Sequence, residues 1–366
     1  MKKELMALSL TMLGLQLAGG EMKQLSFYNV CFTENELAVD GKLTDTAWDK
    51  APAYSAYYEY WKPNPDTGKL KTSFKMLRSK KGIYLAIINY DQNMCKLKAN
   101  ITNRDNGELW TDDCDEIYFD PSGEGVGYTK FVVNSIGTVG DMRQLDGAVS
   151  LNEWSGSGWS AATARNRDSW VVEAFFPWAD LGKEAEEGQI WRFCNVRYAY
   201  SSGSFVGVTS SPGGNYENTG NFGYIYFGGA APLDAQVIGE MLSERVSPAW
   251  VLPTGDSLVL CDEKGKFRVE SVAAFALAEK AKATALAKAV EELLKCLGDD
   301  PAKPPAEQAL KAMRREAGEC VPGNASLEEN LNALKTLSRQ CAALNEVYWG
   351  MKTAELVNSN QSKGGK

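Results

Sequence analysis

The segment from Trp110 to Asp120 combines an aromatic ring with several carboxylates. It reads Trp-Thr-Asp-Asp-Cys-Asp-Glu-Ile-Tyr-Phe-Asp, and the apolar and aromatic residues of its second half are typical of a β-strand. Side chains alternate along a strand, which puts Glu116, Tyr118 and Asp120 on one face and the intervening residues on the other. One face is therefore free to be functional while the other packs into a core.

An aromatic ring beside carboxylates is typical of two kinds of site. In a sugar-binding site, the Trp110 ring stacks on the apolar face of a pyranose and carboxylates accept hydrogen bonds from its hydroxyls. In a glycoside hydrolase, two carboxyls roughly 5 to 9.5 Å apart face each other across the scissile bond. The acids Asp112, Asp113, Glu116 and Asp120 come from one strand and its lead-in loop, so the hydrolase is the alternative hypothesis. In a third interpretation, Trp110 is a loop residue that packs on the core, and the acids form a solvated rim.

The composition excludes much other chemistry. The chain of 366 residues contains no histidine, which excludes Ser-His-Asp and Cys-His nucleophile pairs and His-ligated zinc or haem. Carboxylate, lysine, tyrosine and cysteine chemistry remain, with oxygen-ligated calcium or magnesium as the accessible metals. The formal net charge is -8, which argues against nucleic acid as a partner and favours neutral ligands or cations.

The N-terminus has the layout of a secretory signal peptide. Lys2 and Lys3 precede an apolar run that ends at Leu17, and Ala18, Gly19 and Gly20 follow it. We expect residues 1–20 to direct export to the periplasm, the cell surface or the medium; a short apolar helix is the alternative. No other segment is apolar enough to span a membrane. The eight cysteines follow this segment, and their even number is compatible with disulfides after export.

The rest of the chain divides into a β-rich part and a helical part. Residues 21–229 contain short β-type runs broken by turn residues, which predicts an immunoglobulin-like or jelly-roll-type β-sandwich. We expect a connector with a hairpin over 230–266, and a small helical bundle over 267–357 that is available to a protein partner. The sequence Ser326-Leu-Glu-Glu329 is a capping box at the third helix start, and residues 358–366 are predicted to be disordered.

The β-type blocks resemble, in order and in residue type, the family 9 carbohydrate-binding modules within the wider DOMON-like group. The resemblance covers about residues 25–229. The blocks that carry it are Asp40-Gly-Lys-Leu-Thr-Asp-Thr-Ala-Trp48, Gly82-Ile-Tyr-Leu-Ala86, Trp110–Asp120, Tyr128-Thr-Lys-Phe-Val-Val-Asn134, Val172–Trp178, Gly188–Arg197 and Asn221–Tyr226.

This resemblance implies a sugar held in a slot between two aromatic rings, with polar strand residues fixing its hydroxyls. Trp110 matches one wall, and Tyr216 is the residue available for the other. The polar contacts implied are Glu116, Lys130, Asn134 and Asn218. The resemblance also implies structural calcium, for which the loop Asn103–Gly107 offers oxygen ligands.

The chain departs from the family pattern at several positions. Lys130 and Val132 stand where the family has a glutamine and an arginine, Asp115 replaces an apolar core residue, and Cys194 replaces an asparagine. The sequence therefore predicts a secreted, noncatalytic protein that binds a mono- or oligosaccharide in polysaccharide degradation or uptake. Two alternatives stay open: a carboxylate-dependent glycoside hydrolase, and a structural or adhesion module whose sugar site has degenerated.

Overall fold

The protein consists of two compact units, Lys23–Asp234 and Ala235–Lys366 together with residues 1–22. We call the first the sandwich unit and the second the C-terminal unit. The computed structural model describes residues 16–17, 20–61, 70–145, 149–151, 154–212, 218–229, 233–296, 303–319 and 327–361. The predicted signal peptide falls almost entirely outside these residues, as do Ser326 of the capping box and Tyr216 of the predicted slot.

The sandwich unit is built from short strands joined by loops and single helical turns. Strands β1 (Gln16–Leu17) and β2 (Gly20–Glu21) precede it in the C-terminal unit and pair with each other. The strands of the sandwich unit are β3 (Lys23–Gln24), β4 (Phe27–Asn29), β5 (Cys31–Phe32), β6 (Tyr58–Glu59), β7 (Thr72–Arg78), β8 (Gly82–Tyr90), β9 (Cys114–Asp120), β10 (Tyr128–Asn134), β11 (Val139–Leu145), β12 (Val149–Leu151), β13 (Ser160–Arg165), β14 (Ser169–Pro177), β15 (Ile190–Ala199), β16 (Val206–Thr209) and β17 (Gly223–Tyr226). The helical turns are 3₁₀ at Thr46–Lys50, Met94–Lys96, Leu109–Thr111 and Thr219–Asn221, and α-helical in α1 (Trp178–Leu181).

Strands β4 to β17 form two sheets that pack face to face. The larger has the order β12-β11-β10-β9-β15-β16-β6, with β17 also paired to β15 and β4 parallel to β17; the smaller has the order β13-β14-β8-β7-β5. Alternate residues of both sheets meet in one apolar core. Phe119 lies within it, with ring centroids 5.2 Å from Phe176 and 5.3 Å from Phe193. The predicted β-sandwich is confirmed.

A buried carboxylate fixes the block that begins at Asp40. The backbone N–H groups of Asp40 and Gly41 and the indole N–H of Trp48 donate to the Glu173 carboxylate, at 3.0, 2.9 and 2.9 Å. Gly41 has φ +78°, and a Cβ there would lie 2.8 Å from the carbonyl carbon of Thr163, so only glycine fits this turn. The spacing of these residues is therefore a structural requirement of the sandwich.

A second buried carboxylate lies in the core between the sheets. Asp115 is fully buried and accepts hydrogen bonds from the side-chain amides of Asn89 at 2.5 Å and Asn195 at 3.4 Å. Burial raises the pKa of Asp115 to about 7, against the opposing effect of these amides and of nearby Arg197. Arg197 is itself buried and pairs with Asp91 at 3.2 Å. These polar partners explain how an acid occupies a position where an apolar residue was expected.

The C-terminal unit combines a small antiparallel sheet with a helical bundle. Its elements are α2 (Ala235–Ser243), β18 (Trp250–Thr254), β19 (Ser257–Cys261), β20 (Phe267–Ser271), α3 (Val272–Cys296), α4 (Lys303–Glu319) and α5 (Leu327–Gln361). Strand β19 pairs with both β18 and β20, and the three long helices share one apolar core with side chains such as Val290, Met313 and Leu344.

Two predicted boundaries in this unit differ from the structure. Residues 267–271, which were assigned to the bundle, form strand β20, because they complete the ladder with β19; the first long helix starts at Val272. The last helix extends to Gln361, past the predicted end at 357. Among the described residues, no helix combines the length and apolarity needed to cross a bilayer. The described thiols of Cys31, Cys95, Cys114, Cys194, Cys261 and Cys341 are free.

Candidate functional site

The outer face of the larger sheet carries the residues that the sequence placed on the functional side of β9. Glu116 lies between Val132 of β10 and Val196 of β15, and Tyr118 lies between Lys130 and Cys194. These side chains belong to a small cluster separate from the main core, whereas the intervening residues of β9 face the other sheet. The alternation predicted for β9 is confirmed.

The carboxylate of Glu116 is held by three donors. Lys130 Nζ lies 3.1 Å from Oε1, and Oε2 accepts from the hydroxyls of Tyr118 and, at 3.4 Å, of Tyr198. Glu116 is only 3% exposed, so the nearby ammonium compensates a charge that burial disfavours. The arrangement is a pre-ordered carboxylate–ammonium pair at the surface of the sheet.

Trp110 lies at the edge of this face, on the single 3₁₀ turn Leu109–Thr111. The turn is anchored by Leu109, which is buried in the outer-face cluster, while the Trp110 ring is 48% exposed. Its backbone carbonyl accepts a hydrogen bond from the Tyr200 hydroxyl at 3.1 Å. The ring is therefore presented to solvent from a backbone that is tied to β15.

Asp112 and Asp113 act as supports for this turn. Both are fully buried. The Asp112 carboxylate accepts hydrogen bonds from the backbone N–H groups of Asn100 and Ile101 at 3.0 and 2.9 Å. The Asp113 carboxylate accepts hydrogen bonds from the backbone N–H groups of Lys98 at 2.6 Å and of Tyr200 at 3.1 Å. Burial raises the pKa of Asp113. These acids therefore hold neighbouring loops together.

Asn134 has a structural role in place of the expected ligand contact. It is fully buried, and its Nδ2 donates to the Ile101 carbonyl at 2.9 Å and to Asp112 at 3.1 Å. Its Oδ1 accepts from the N–H groups of Ile136 and Thr138 at 3.2 and 2.8 Å. With both amide atoms engaged, Asn134 joins the β10–β11 turn to the loop that precedes Trp110.

Asn218 caps a helical turn, and Tyr216 is outside the described residues. The Asn218 side chain is exposed and accepts from the Gly220 N–H at 2.9 Å, at the start of the turn Thr219–Asn221. Tyr216 as the second wall of a slot stays a prediction.

A chain of aromatic rings borders the site on the side of β15, and sequence reasoning did not find it. We call this group, Trp61, Tyr60, Phe205, Tyr198 and Tyr200, the aromatic arc. Ring centroids are 4.6 Å apart for Trp61 and Tyr60, 5.9 Å for Tyr60 and Phe205, 5.4 Å for Phe205 and Tyr198, and 5.5 Å for Phe205 and Tyr200. In the sequence, the available signal for this group was a pair of tyrosines two residues apart, Tyr198 and Tyr200, at the end of a strand.

The acid of the loop proposed for calcium, Asp105, has partners within the protein. Asp105 accepts the Asp141 N–H at 3.2 Å and pairs with Arg104 at 3.2 Å, while Asp141 accepts from Arg104 and from the Trp159 indole at 2.7 Å. The carboxylates of Asp105 and Asp141 are thus engaged by N–H donors and by the Arg104 guanidinium. Among the described residues, no group of three or more acidic or cysteine side chains could hold one.

The sequence of the sandwich unit identifies its family. Residues 39–229 match the family described as Carbohydrate family 9 binding domain-like, and this range is 191 (229 − 39 + 1) of the 366 residues. The chain belongs to that family. The family 9 match contains every block on which the resemblance was based, and it supports carbohydrate binding.

The solved structures that this chain matches include two complexes of a family 9 carbohydrate-binding module from Caldicellulosiruptor kristjanssonii, one with glucose and one with cellotriose. Each is 18% identical over 57% of this chain and 100% of its own, with TM-scores of 0.42 and 0.41. A putative carbohydrate-binding protein from Bacteroides uniformis ATCC 8492 is 15% identical over 56% of this chain and 100% of its own, with a TM-score of 0.46. No curated protein is detectably similar.

Proposed function

We propose that this family 9 protein is a noncatalytic carbohydrate-binding protein. In this proposal Trp110 stacks on a pyranose ring while Lys130 and Glu116 contact its hydroxyls. The observation that carries it is the pre-ordered Glu116–Lys130 pair on the outer face of a family 9 domain, together with the exposed Trp110 ring on the turn that leads into the strand of Glu116. A ring face and a charged donor–acceptor pair are the two elements that a hydroxylated, partly apolar ligand requires.

The two charged residues divide the polar contacts. The Lys130 side chain is 20% exposed and that of Glu116 is 4% exposed. In this proposal the ammonium is therefore the main contact of a sugar hydroxyl, and the neighbouring carboxylate is the lesser one. Glu116 thereby also positions Lys130. One stacked ring with a few hydroxyl contacts yields affinities on the order of micromolar to millimolar, unless several modules act together.

We also propose a location outside the cytoplasm, a protein partner for the helices and a noncatalytic role. Export by the residues 1–20 would place the protein in the periplasm, at the cell surface or in the medium, where polysaccharides are degraded or taken up. The helices of the C-terminal unit would then be available to a protein partner. The structural use of Asp112 and Asp113 supports a noncatalytic role.

Calorimetric titration of the full chain with glucose, cellobiose and xylobiose tests this function. We expect saturable binding of at least one sugar by the wild type and its loss in Trp110→Ala. The matched control is Trp349→Ala, because Trp349 is similarly exposed, at 46%, but belongs to the C-terminal unit. Absence of binding by the wild type with every sugar would overturn the proposal and favour the structural or adhesion alternative; equal binding by Trp110→Ala would overturn the stacking role.

A further inference from the structure

We propose that part of the aromatic arc, Trp61 with Phe205, is a second stacking subsite that takes a further ring of an oligosaccharide bound at Trp110. This inference rests on the proposed function, and it names the class of ligand more narrowly: a linked sugar chain instead of a single sugar. It is carried by the exposure of the two rings, by the way the sheet accommodates them, and by their continuity with the Trp110 site.

The two rings present a large apolar surface to solvent. Trp61 is 58% exposed and Phe205 is 44% exposed, which places them among the most exposed large apolar side chains of the sandwich unit. Tyr60 lies between them, with ring contacts to both. Exposed apolar side chains are ordinary when they are scattered, but adjacent ones mark a binding surface.

The sheet is bare beneath these rings because Gly207 lies there. A Cβ on Gly207 would lie 2.9 Å from Cζ of Phe205 and 3.2 Å from Cβ of Tyr60. Any side chain at this position of β16 would therefore displace the arc. The rings lie directly on the strand backbone, so their placement is fixed by the sheet and not only by the loops that carry them.

The arc is continuous with the proposed sugar site. Phe205 contacts the rings of Tyr198 and Tyr200, of which Tyr198 donates to Glu116 and Tyr200 donates to the Trp110 carbonyl. Gly207 pairs with Tyr198, and Tyr60 donates its N–H to the Gly207 carbonyl at 3.2 Å. Tyr60 and Tyr198 are therefore two strands apart, about 9.6 Å between backbones, and the Phe205 ring contacts both of their rings.

The chemistry of the arc favours a sugar chain as its occupant. The hydroxyl of the partly exposed Tyr60 lies 3.1 Å from the hydroxyl of the buried Tyr198, so the exposed ring faces of Trp61 and Phe205 alternate with the polar edge of Tyr60. A pyranose presents the same alternation, with apolar C–H faces and a rim of hydroxyls, and it would extend directly from the site at Trp110. A sugar chain therefore suits both parts of this surface.

Calorimetry with sugars of increasing length tests this subsite. The probes are glucose, cellobiose and cellotriose, with xylose, xylobiose and xylotriose as the second series, and the proteins are the full wild-type chain and the double variant Trp61→Ala/Phe205→Ala. We expect the wild-type Kd to fall about five- to tenfold from mono- to trisaccharide, the effect of one added stacking contact. The double variant is expected to keep the monosaccharide Kd and to lose this gain.

The outcomes separate the two proposals. Equal wild-type affinity for mono- and trisaccharides, or an undiminished gain in the double variant, overturns the subsite while the site at Trp110 stands. Loss of monosaccharide binding in the double variant also overturns it, because the arc would then be part of the first site. If the wild type binds no sugar, both proposals fall. Trp349→Ala is the control for removing an exposed tryptophan.

Discussion

Neutralising the buried acid Asp115 is expected to change the stability of the sandwich unit in a pH-dependent way. Asp115 is fully buried, with its pKa raised from 3.8 to about 7 because burial disfavours its charge. A carboxyl whose pKa is higher in the folded state binds more protons there than in the unfolded state. Its contribution to stability is therefore largest at low pH and is lost as the pH rises from the unfolded value towards 7.

The magnitude follows from the two pKa values. Each unit of pKa difference corresponds to about 1.4 kcal/mol, so full ionisation of Asp115 costs about 4 kcal/mol of unfolding free energy. Between pH 4.5 and 8 the same linkage relation gives about 3 kcal/mol. Asp115→Asn removes this term. The substitution also disturbs the hydrogen bonds from Asn89 and Asn195, but that cost does not vary with pH.

Urea unfolding followed by tryptophan fluorescence checks this prediction. The difference in unfolding free energy between Asp115→Asn and the wild type is expected to move in favour of the variant by about 3 kcal/mol from pH 4.5 to pH 8. Taking the difference cancels the titration of all other groups that behave alike in both proteins. A difference that is constant with pH, or that moves in favour of the wild type, would refute the assignment of a raised pKa to Asp115.

Three further substitutions test the supports of the site. Gly207→Ala is expected to lower stability by about 1–3 kcal/mol, because the added methyl overpacks the strand, and to weaken trisaccharide binding in calorimetry; unchanged stability would contradict it. Asp112→Ala leaves three donors without their acceptor and should cost about 2–4 kcal/mol in urea unfolding, with weaker sugar binding as the Trp110 turn loosens. Lys130→Met should lower the unfolding free energy by about 1–2 kcal/mol when Glu116 is present, and by less when Glu116 is replaced by glutamine. The loss arises because the buried Glu116 carboxylate is left without its ammonium partner.

The sequence by itself determined the features that depend on local pattern. The alternation along 114–120 separated the core face of β9 from its outer face, because successive side chains of a strand point in opposite directions. The position of Trp110, ahead of the first strand residue, indicated a ring presented by a loop, and the turn residues of the first half of the chain indicated a sandwich. Each of these inferences needs only neighbouring residues.

Tertiary structure decided which polar groups are left for a ligand. Asp112, Asp113 and Asn134 have the residue types of a binding site, but buried backbone N–H and C=O groups of other loops take up their hydrogen-bonding capacity. A buried polar group needs a hydrogen-bond partner, and which partner it finds depends on how the loops fold against one another. Local sequence therefore could not distinguish residues that support the loops from residues that contact a ligand.

The aromatic arc shows the same limit for apolar groups. Tyr60 and Tyr198 are 138 residues apart in the chain, yet their hydroxyls lie 3.1 Å apart. That proximity results from the pairing of β15 with β16 and of β16 with β6, and from the glycine that leaves space above β16. Strand pairing is a non-local property set by the whole core, so the sequence supplied the rings and only the folded sheet brought them together.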